Sequence, residues 1–328
     1  MKKEDLRIVF MGTPEFAVES LRALVENGYP VVGVVTQPDK PVGRHGSVLR
    51  PSPVKQYALE HQLPVAQPEK MKDEAFLATL KQWKPNLQVV VAFRMLPQVV
   101  WDLPEYGTFN VHAALLPRYR GAAPINWAII NGETQTGVTT FFLDKDIDTG
   151  RIIMQQPTPI GPEDDVEAVY DRLMVLGAEI CMKTVEQVIA SDGHPEAIEQ
   201  DALAKEGDLL CVAPKLFKEN TLIDWTQSQK RVYDFVRGLS PVPGAWTLFT
   251  EPDGKQTVLK IYKTRQTEMP VQGDAPGSLL VERKKLYAAT ADGWLELQEL
   301  QLAGKKRMAA VDFINGMKDK EMCMLGSE

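Results

Sequence analysis

The chain has 328 residues, 44% apolar and 25% charged, with a formal net charge of −7. That length is ample for two domains and long for one, and the composition is that of a folded globular protein. Cys181, Cys211 and Cys323 are far apart and odd in number, so neither a disulfide framework nor a paired-cysteine metal site follows, which suits a reducing compartment. Met1-Lys2-Lys3-Glu4-Asp5 leads into only about six apolar residues, too few for a signal-peptide core, and no run approaches the roughly twenty that span a bilayer. A cytoplasmic protein with no membrane partner is expected.

Leu6 to Met11 reads as a buried strand, followed by a glycine turn at Gly12. Thr13 is a candidate N-cap, Pro14 suits the first helical position and Glu15 the positive end of the helix. Ala17, Leu21, Leu24 and Val25 share one face of that helix, Gly28 ends it, and Val31 to Thr36 is a second buried strand. Strand, helix, strand in this order implies a right-handed parallel unit and an α/β, open, doubly wound, mostly parallel Rossmann-like sheet. The first turn has neither Gly-x-Gly-x-x-Gly nor a Walker lysine, so a dinucleotide or nucleoside triphosphate has no evident cradle.

Residues 37 to 55 carry Lys40, Arg44 and Arg50 among prolines and glycines, with no period. A solvated loop and a mobile arm that meets phosphate both fit such a stretch. Helices over 54–61 and 74–84 follow, with a short strand over 64–67 between them and a third buried strand over 87–92. Phe93-Arg94-Met95-Leu96-Pro97 leaves that strand.

Asn110 and His112 stand two apart in the alternating run Thr108-Phe109-Asn110-Val111-His112, so on a strand they leave by the same face. Leu115-Leu116-Pro117 ends the run, because proline cannot donate to a ladder. Arg118-Tyr119-Arg120-Gly121 is a loop opening a helix from Ile125, and its arginines suit solvent and substrate contact equally. Asp148 falls in a tight loop between the apolar runs 138–143 and 151–154. Amide, imidazole and carboxylate are the groups acyl transfer needs: donors for an oxyanion, and a carboxylate that sets the tautomer and charge of the imidazole. A structural histidine and an ordinary hairpin turn account for the same spacing. Asp144, Asp146 and Asp148 alternate like the start of a calcium loop, but Thr149 and Gln155 stand where glycine and glutamate belong. No metal is expected.

A long amphipathic helix over 163–189 follows, and periodicity then fades. The reading is a first domain over 1–190, a linker over 191–208 and a second domain over 209–328. Residues 209–308 hold 15 Lys and Arg against 11 Asp and Glu, leaving −11 on the remainder. A basic module suits phosphate, although so small an imbalance is also ordinary. Five short strands at even spacing between Ala245 and Gln301 suggest a small β-barrel. Lys305, Lys306 and Arg307 beyond them are phosphate contacts or a solvated turn.

Asn-x-His-x-x-Leu-Leu-Pro-x-Tyr-Arg-Gly-Ala-x-Pro, followed by Asp-x-Asp-Thr-Gly, resembles the signature of the folate-dependent formyltransferases. Gln37-Pro38-Asp39-Lys40-Pro41-Val42-Gly43-Arg44 with Pro51-Ser52-Pro53-Val54-Lys55 resembles the branch acting on methionyl-tRNA, as does Pro241-Val242-Pro243-Gly244-Ala245-Trp246 at the start of the second domain. The likeness covers roughly residues 6 to 310. It implies transfer of a formyl group from 10-formyltetrahydrofolate, a co-substrate, to the α-amine of initiator methionyl-tRNA for translation initiation. Asn110, His112 and Asp148 would be catalytic, and Phe93, Ala114, Leu115, Leu116, Pro117 and Asp146 would bind folate. Lys40, Arg44, Arg50, Lys305, Lys306 and Arg307 would bind tRNA, and the barrel would be of the oligonucleotide-binding (OB-like) kind. A monomer is expected. Two departures stand out: Ala114 where serine is common, and a shorter turn at Phe93-Arg94. A small-amine formyltransferase and a non-catalytic tRNA-binding protein are the competing readings.

Overall fold

The computed structural model describes residues 1–42, 48–205, 208, 211–316 and 323–326. Two compact units divide the chain. The first comprises Met1–Gly121, Thr136–Pro159 and Tyr170–Val212; the second comprises Ala122–Gln135, Ile160–Val169 and Ala213–Glu328.

The first unit alternates strands and helices: β1 (Ile8–Gly12), α1 (Glu15–Glu26), β2 (Val31–Val35), β3 (Lys40–Val42), β4 (Val48–Arg50), α2 (Pro53–Glu60) and β5 (Val65–Ala66). It continues with α3 (Glu74–Trp83), β6 (Leu87–Val91), α4 (Gln98–Trp101), β7 (Thr108–His112), the two-residue β8 (Arg120–Gly121), β9 (Gln135–Phe142) and β10 (Ile152–Pro159). The central sheet runs β10-β9-β7-β6-β1-β2-β5. β1 is parallel to β2 and β6, and β7 is parallel to β6 and antiparallel to β9. The chain winds outward from β1 through β2 to β5, then returns to the other side at β6. That reversal creates a crevice at the carboxyl ends of the strands, where doubly wound sheets bind ligands.

Continuous apolar runs explain the buried strands. Val9, Met11, Val35 and Val90 pack with Phe76 and Leu80 of α3, each such side chain contributing about 1.5–3 kcal/mol. Part of the long helix α6 (Val166–Ala190) lies on the sheet: Thr184 meets the Thr140 hydroxyl at 2.8 Å, and the Tyr170 hydroxyl accepts from Phe16 N–H at 2.8 Å.

Three local expectations for this unit differ from what is observed. Pro14, not Thr13, occupies the cap position of α1 and offers no side-chain bond; Thr13 Oγ1 lies 3.4 Å from the N–H of Gln37. The aperiodic stretch 37–55 contains an antiparallel ribbon in which Lys40 faces Arg50 and Pro41 faces Leu49. Arg44 lies outside the described residues. The stretch read as a linker is docked: Ile198 and Ile152 exchange two backbone hydrogen bonds at 2.8 Å, and α7 (Gln200–Leu203) starts at a buried glutamine.

The second unit holds α5 (Pro124–Ile130), the last residue of the two-residue β11 (Val212–Ala213), α8 (Gln229–Arg237) and strands β12 (Ala245–Thr250), β13 (Gln256–Arg265), β14 (Leu279–Glu282), β15 (Lys285–Ala289) and β16 (Trp294–Leu302). β17 (Met308–Ala309), α9 (Ala310–Gly316) and β18 (Met324–Gly326) complete it. The order is β14-β15-β16-β13-β12-β18. An antiparallel bridge between Ser278 and Met324 joins the two ends, which closes the sheet into a barrel and removes its free edges. The last strand read from the sequence ends at Gln301, before the strand that closes the barrel. Leu259, Ile261, Leu286, Leu295, Leu297 and Leu300 fill the interior with Val232 and Val236 of α8, and Phe249 meets Phe313 edge-on at 5.3 Å.

Among the described residues no helix is long and apolar enough to cross a membrane, and no group of three or more His, Cys, Asp or Glu side chains could hold a metal ion.

Candidate active site

β7 sits between β6 and β9 with Asn110 opposite Val90 and Phe141, and His112 opposite Thr139. Alternation along the strand sends both side chains to one face, as the spacing predicts. Asn110 is half-buried, and its amide has no hydrogen-bond partner among the described residues. His112 is only 6% exposed. Its Nε2 lies 2.9 Å from the carbonyl of Tyr119; a carbonyl only accepts, so Nε2 carries a hydrogen. Nδ1 faces Asp148 Oδ2 at 3.8 Å. That is beyond a direct hydrogen bond and too close for an atom to sit in line between the two, so Nδ1 faces the carboxylate across a contact distance without donating to it.

Asp148 belongs to the hairpin between β9 and β10 and has φ of +56°, the left-handed region that most residues other than glycine avoid and that aspartate enters more often than most. Oδ2 accepts the backbone N–H of Gly121 at 2.9 Å. Asp144 organises the same loop, accepting from Thr149 Oγ1 at 2.6 Å and from Asp146 N–H at 3.1 Å. Gly150 is obligatory: a Cβ there would stand 1.7 Å from the Phe142 carbonyl oxygen. The Asp148 carbonyl accepts from Gln200 Nε2 at 2.8 Å, as does that of Gly150. The Gln200 oxygen accepts from Arg120 Nε and Nη2 at 2.9 and 2.7 Å. Arg120 is therefore committed to the protein.

The segment after β7 is pinned from β9 and β10. Thr139 Oγ1 donates to the Ala114 carbonyl at 2.6 Å and accepts from Leu116 N–H at 3.1 Å. Gln155 Nε2 reaches the Leu116 carbonyl at 2.7 Å and Thr139 Oγ1 at 3.0 Å. Ala114, Leu116 and Pro117 are buried, Leu115 is half-buried and Asp146 is exposed. Phe93 is half-buried against the β1–β6 core, where Leu143 also packs. Arg94 turns away and donates to the carbonyls of Glu69, at 2.8 Å, and Pro68; burial lowers its pKa. An open groove of about 560 Å³ beside those carbonyls, lined by Gln67, Asp73 and Phe76 among others, contains none of the expected site residues.

The basic residues divide. Lys40 and Arg50 are exposed cross-strand neighbours with no carboxylate partner among the described residues, an arrangement that is unfavourable unless an anion covers it. Lys305 and Lys306 are exposed on the turn before β17, while Arg307 pairs with Glu299 at 2.7 Å and lies 4.3 Å from the Tyr262 ring centroid. Thr139, Gln155, Gly121 and Gln200 escaped the sequence reading. Thr139, Gln155 and Gln200 reach backbone groups of other segments and Gly121 offers its own N–H to Asp148, contacts that leave no pattern in the chain.

A formyl transferase family model matches residues 6–185, and a formyl transferase C-terminal domain model matches residues 215–318. The methionyl-tRNA formyltransferase of Parabacteroides distasonis is 59% identical over 320 residues, 97% of this chain and 98% of that protein. That of a Bacteroides fragilis strain is 55% identical, covering 96% of each. An N-formyltransferase from Helicobacter canadensis, crystallised with folinic acid and dTDP-3-aminofucose, shares the fold at a TM-score of 0.62 with 19% identity, over 89% of this chain and 99% of that one. With a family model over more than half its length and relatives matched nearly end to end, the chain belongs to the formyl transferase family.

Proposed function

We propose that this chain transfers a formyl group from 10-formyltetrahydrofolate to the α-amine of initiator methionyl-tRNA, as a cytoplasmic monomer serving translation initiation. The functional division follows the expected spans, with catalysis in 1–190, 191–208 joining it to a tRNA-binding module, and that module over 209–328. The observation that carries the reading is an Asn110 amide without a hydrogen-bond partner among the described residues, on the same face of β7 as a buried imidazole that faces a carboxylate, in a chain matched nearly end to end by methionyl-tRNA formyltransferases.

The neutral amine of the methionyl ester attacks the formyl carbon. A new C–N bond forms, the bond to N10 of the folate breaks, the amine loses a proton and N10 gains one. Charge develops on the formyl oxygen, where the Asn110 amide is free to donate. One such donor is typically worth about 3 kcal/mol, or a hundredfold or more in rate. His112 has one nitrogen occupied by the Tyr119 carbonyl, so Nδ1 is the nitrogen that serves the reaction. Asp148 faces that nitrogen, so a proton held there lies toward a carboxylate.

Phe93, Ala114, Leu115, Leu116, Pro117 and Asp146 form the folate-binding set in this reading. The Ala114 carbonyl is used by Thr139 and its methyl group cannot bond, so Ala114 gives shape rather than a hydrogen bond. Lys40, Arg44 and Arg50 form the tRNA-binding arm, and Lys305, Lys306 and Arg307 a second phosphate contact on the barrel. The unneutralised Lys40–Arg50 pair supports the arm's role.

Mass detection of formyl-methionine on initiator tRNA after incubation with the folate donor tests the reading. Formylation of charged tRNA and not of free amines or aminosugars is expected; the reverse preference would overturn it. Arg44→Ala should weaken turnover on tRNA and leave folate binding unchanged, whereas equal loss of both would remove the arm from the account.

A further inference from the structure

We propose that Gln200, in the stretch between α6 and the second unit, is a positioning residue that holds Asp148 toward His112; this deepens the reading above and rests on it. Gln200 is 2% exposed, and its amide uses its full bonding capacity. Two N–H groups go to the carbonyls of Asp148 and Gly150, both at 2.8 Å, and the oxygen accepts two donors of Arg120 at 2.9 and 2.7 Å. The orientation is unambiguous, because a flipped amide would set its oxygen against two carbonyls and its N–H₂ against a guanidinium.

What this hub clamps is a conformation that does not maintain itself. Asp148 has a left-handed backbone at φ +56°, uncommon for a residue with a side chain though less so for aspartate, and held in place by its surroundings. Among the described residues its side chain has one neutral anchor, the N–H of Gly121, and one ionisable neighbour, Nδ1 of His112 at 3.8 Å. Neither fixes the peptide that carries the side chain; Gln200 does, from both sides of Thr149. Arg120 adjoins Gly121, so the residue that orients Gln200 and the N–H that orients the carboxylate leave the same two-residue strand. The backbone exchange between Ile198 and Ile152 sets Gln200 at this depth. A fully bonded glutamine of this kind controls where a reacting group sits and does not touch substrate.

The test uses Gln200→Met, which keeps length and loses every bond, and Gln200→Glu, which keeps the acceptors for Arg120 and loses the donors to Asp148. With charged initiator tRNA and the folate donor, both variants should lose about tenfold to a hundredfold in kcat, as small misplacements of catalytic groups do, with both KM values near wild type. In an Asp148→Asn background the same changes should add little, because the group they position is already gone. Arg120→Lys should give a smaller loss that is non-additive with Gln200→Met. Full activity of Gln200→Glu, or losses that multiply with Asp148→Asn, would overturn the proposal. The imidazole signals of His112, followed by NMR on labelled histidine, should move in Gln200→Met without any turnover. Unmoved signals would also overturn it. Wild-type protein that moves no formyl group to tRNA while those signals do shift would sink the functional reading and leave the positioning role standing.

Discussion

The two halves of the proposed active site are built by opposite means. Asn110 and His112 ride on β7, whose neighbours β6 and β9 hold it along its whole length; backbone alternation alone gives the two side chains a common face. Asp148 rides on a hairpin with an unfavourable backbone angle, and groups distant in sequence hold it: Gly121, 27 residues back, and Gln200, 52 residues on. A sheet positions a catalytic group with the same bonds that make the fold, whereas a loop needs its own supports. Loss of activity and loss of stability should therefore separate on the strand and travel together on the hairpin.

The strand side should give the largest effect on turnover and the smallest on folding. Asn110→Ala removes a half-buried amide with no hydrogen-bond partner among the described residues, so kcat should fall by roughly a hundredfold or more with no change in thermal midpoint. A variant with normal turnover would remove Asn110 from the mechanism. Gly150→Ala tests the hairpin. Its new Cβ would meet the Phe142 carbonyl oxygen at 1.7 Å, so the backbone has to move, at a cost of about 1–3 kcal/mol. Denaturant midpoint and kcat should drop together. Loss of one alone would break the contrast between strand and loop.

The same contrast explains what the sequence could reveal. The continuous apolar run from Leu6 to Met11 locates β1 to within two residues, and the helical period ended by Gly28 and the alternation through His112 locate α1 and β7. Thr13 has the chemistry of a cap, yet Pro14 occupies the cap position one residue on, so residue type alone did not set the boundary. The stretch 191–208 has no period because its role is not to present a face: Ile198 offers backbone to Ile152 and Gln200 offers one amide to a loop. The closing strand Met324–Gly326 is three residues long, too short for alternation to register, and its partners at β12 and Ser278 are far away in the chain.

A mid-sized effect belongs to the segment that joins the two halves. Thr139 is fully buried and its hydroxyl serves the Ala114 carbonyl, the Leu116 N–H and Gln155. Thr139→Val keeps the shape and strips all three, so stability should fall by about 1–3 kcal/mol and KM for folate should rise while kcat changes less. An unchanged KM would detach this segment from folate binding.

The smallest effect is expected at the base of the 37–55 ribbon, and there pH is the lever. Asp39 accepts from Lys55 Nζ at 2.6 Å and from Gln67 Nε2 at 2.7 Å. The hydrogen bond from Lys55, then that from Gln67, holds its carboxyl below the ordinary value of 3.8. The folded protein thus favours the carboxylate more than the unfolded chain does. The stabilisation is fully present above the ordinary value and is lost as pH falls through the lowered one. The group is half-buried at the surface and still reached by water, so solvent screening keeps the contribution small. Hydrogen exchange of the backbone between Lys40 and Arg50 should accelerate beyond its intrinsic pH dependence as the solution is acidified through that window. Asp39→Asn should lack that step and exchange faster at neutral pH. Identical profiles for the two proteins would mean that the arm holds its shape without Asp39, and that it resembles the strand half of the active site more than the loop half.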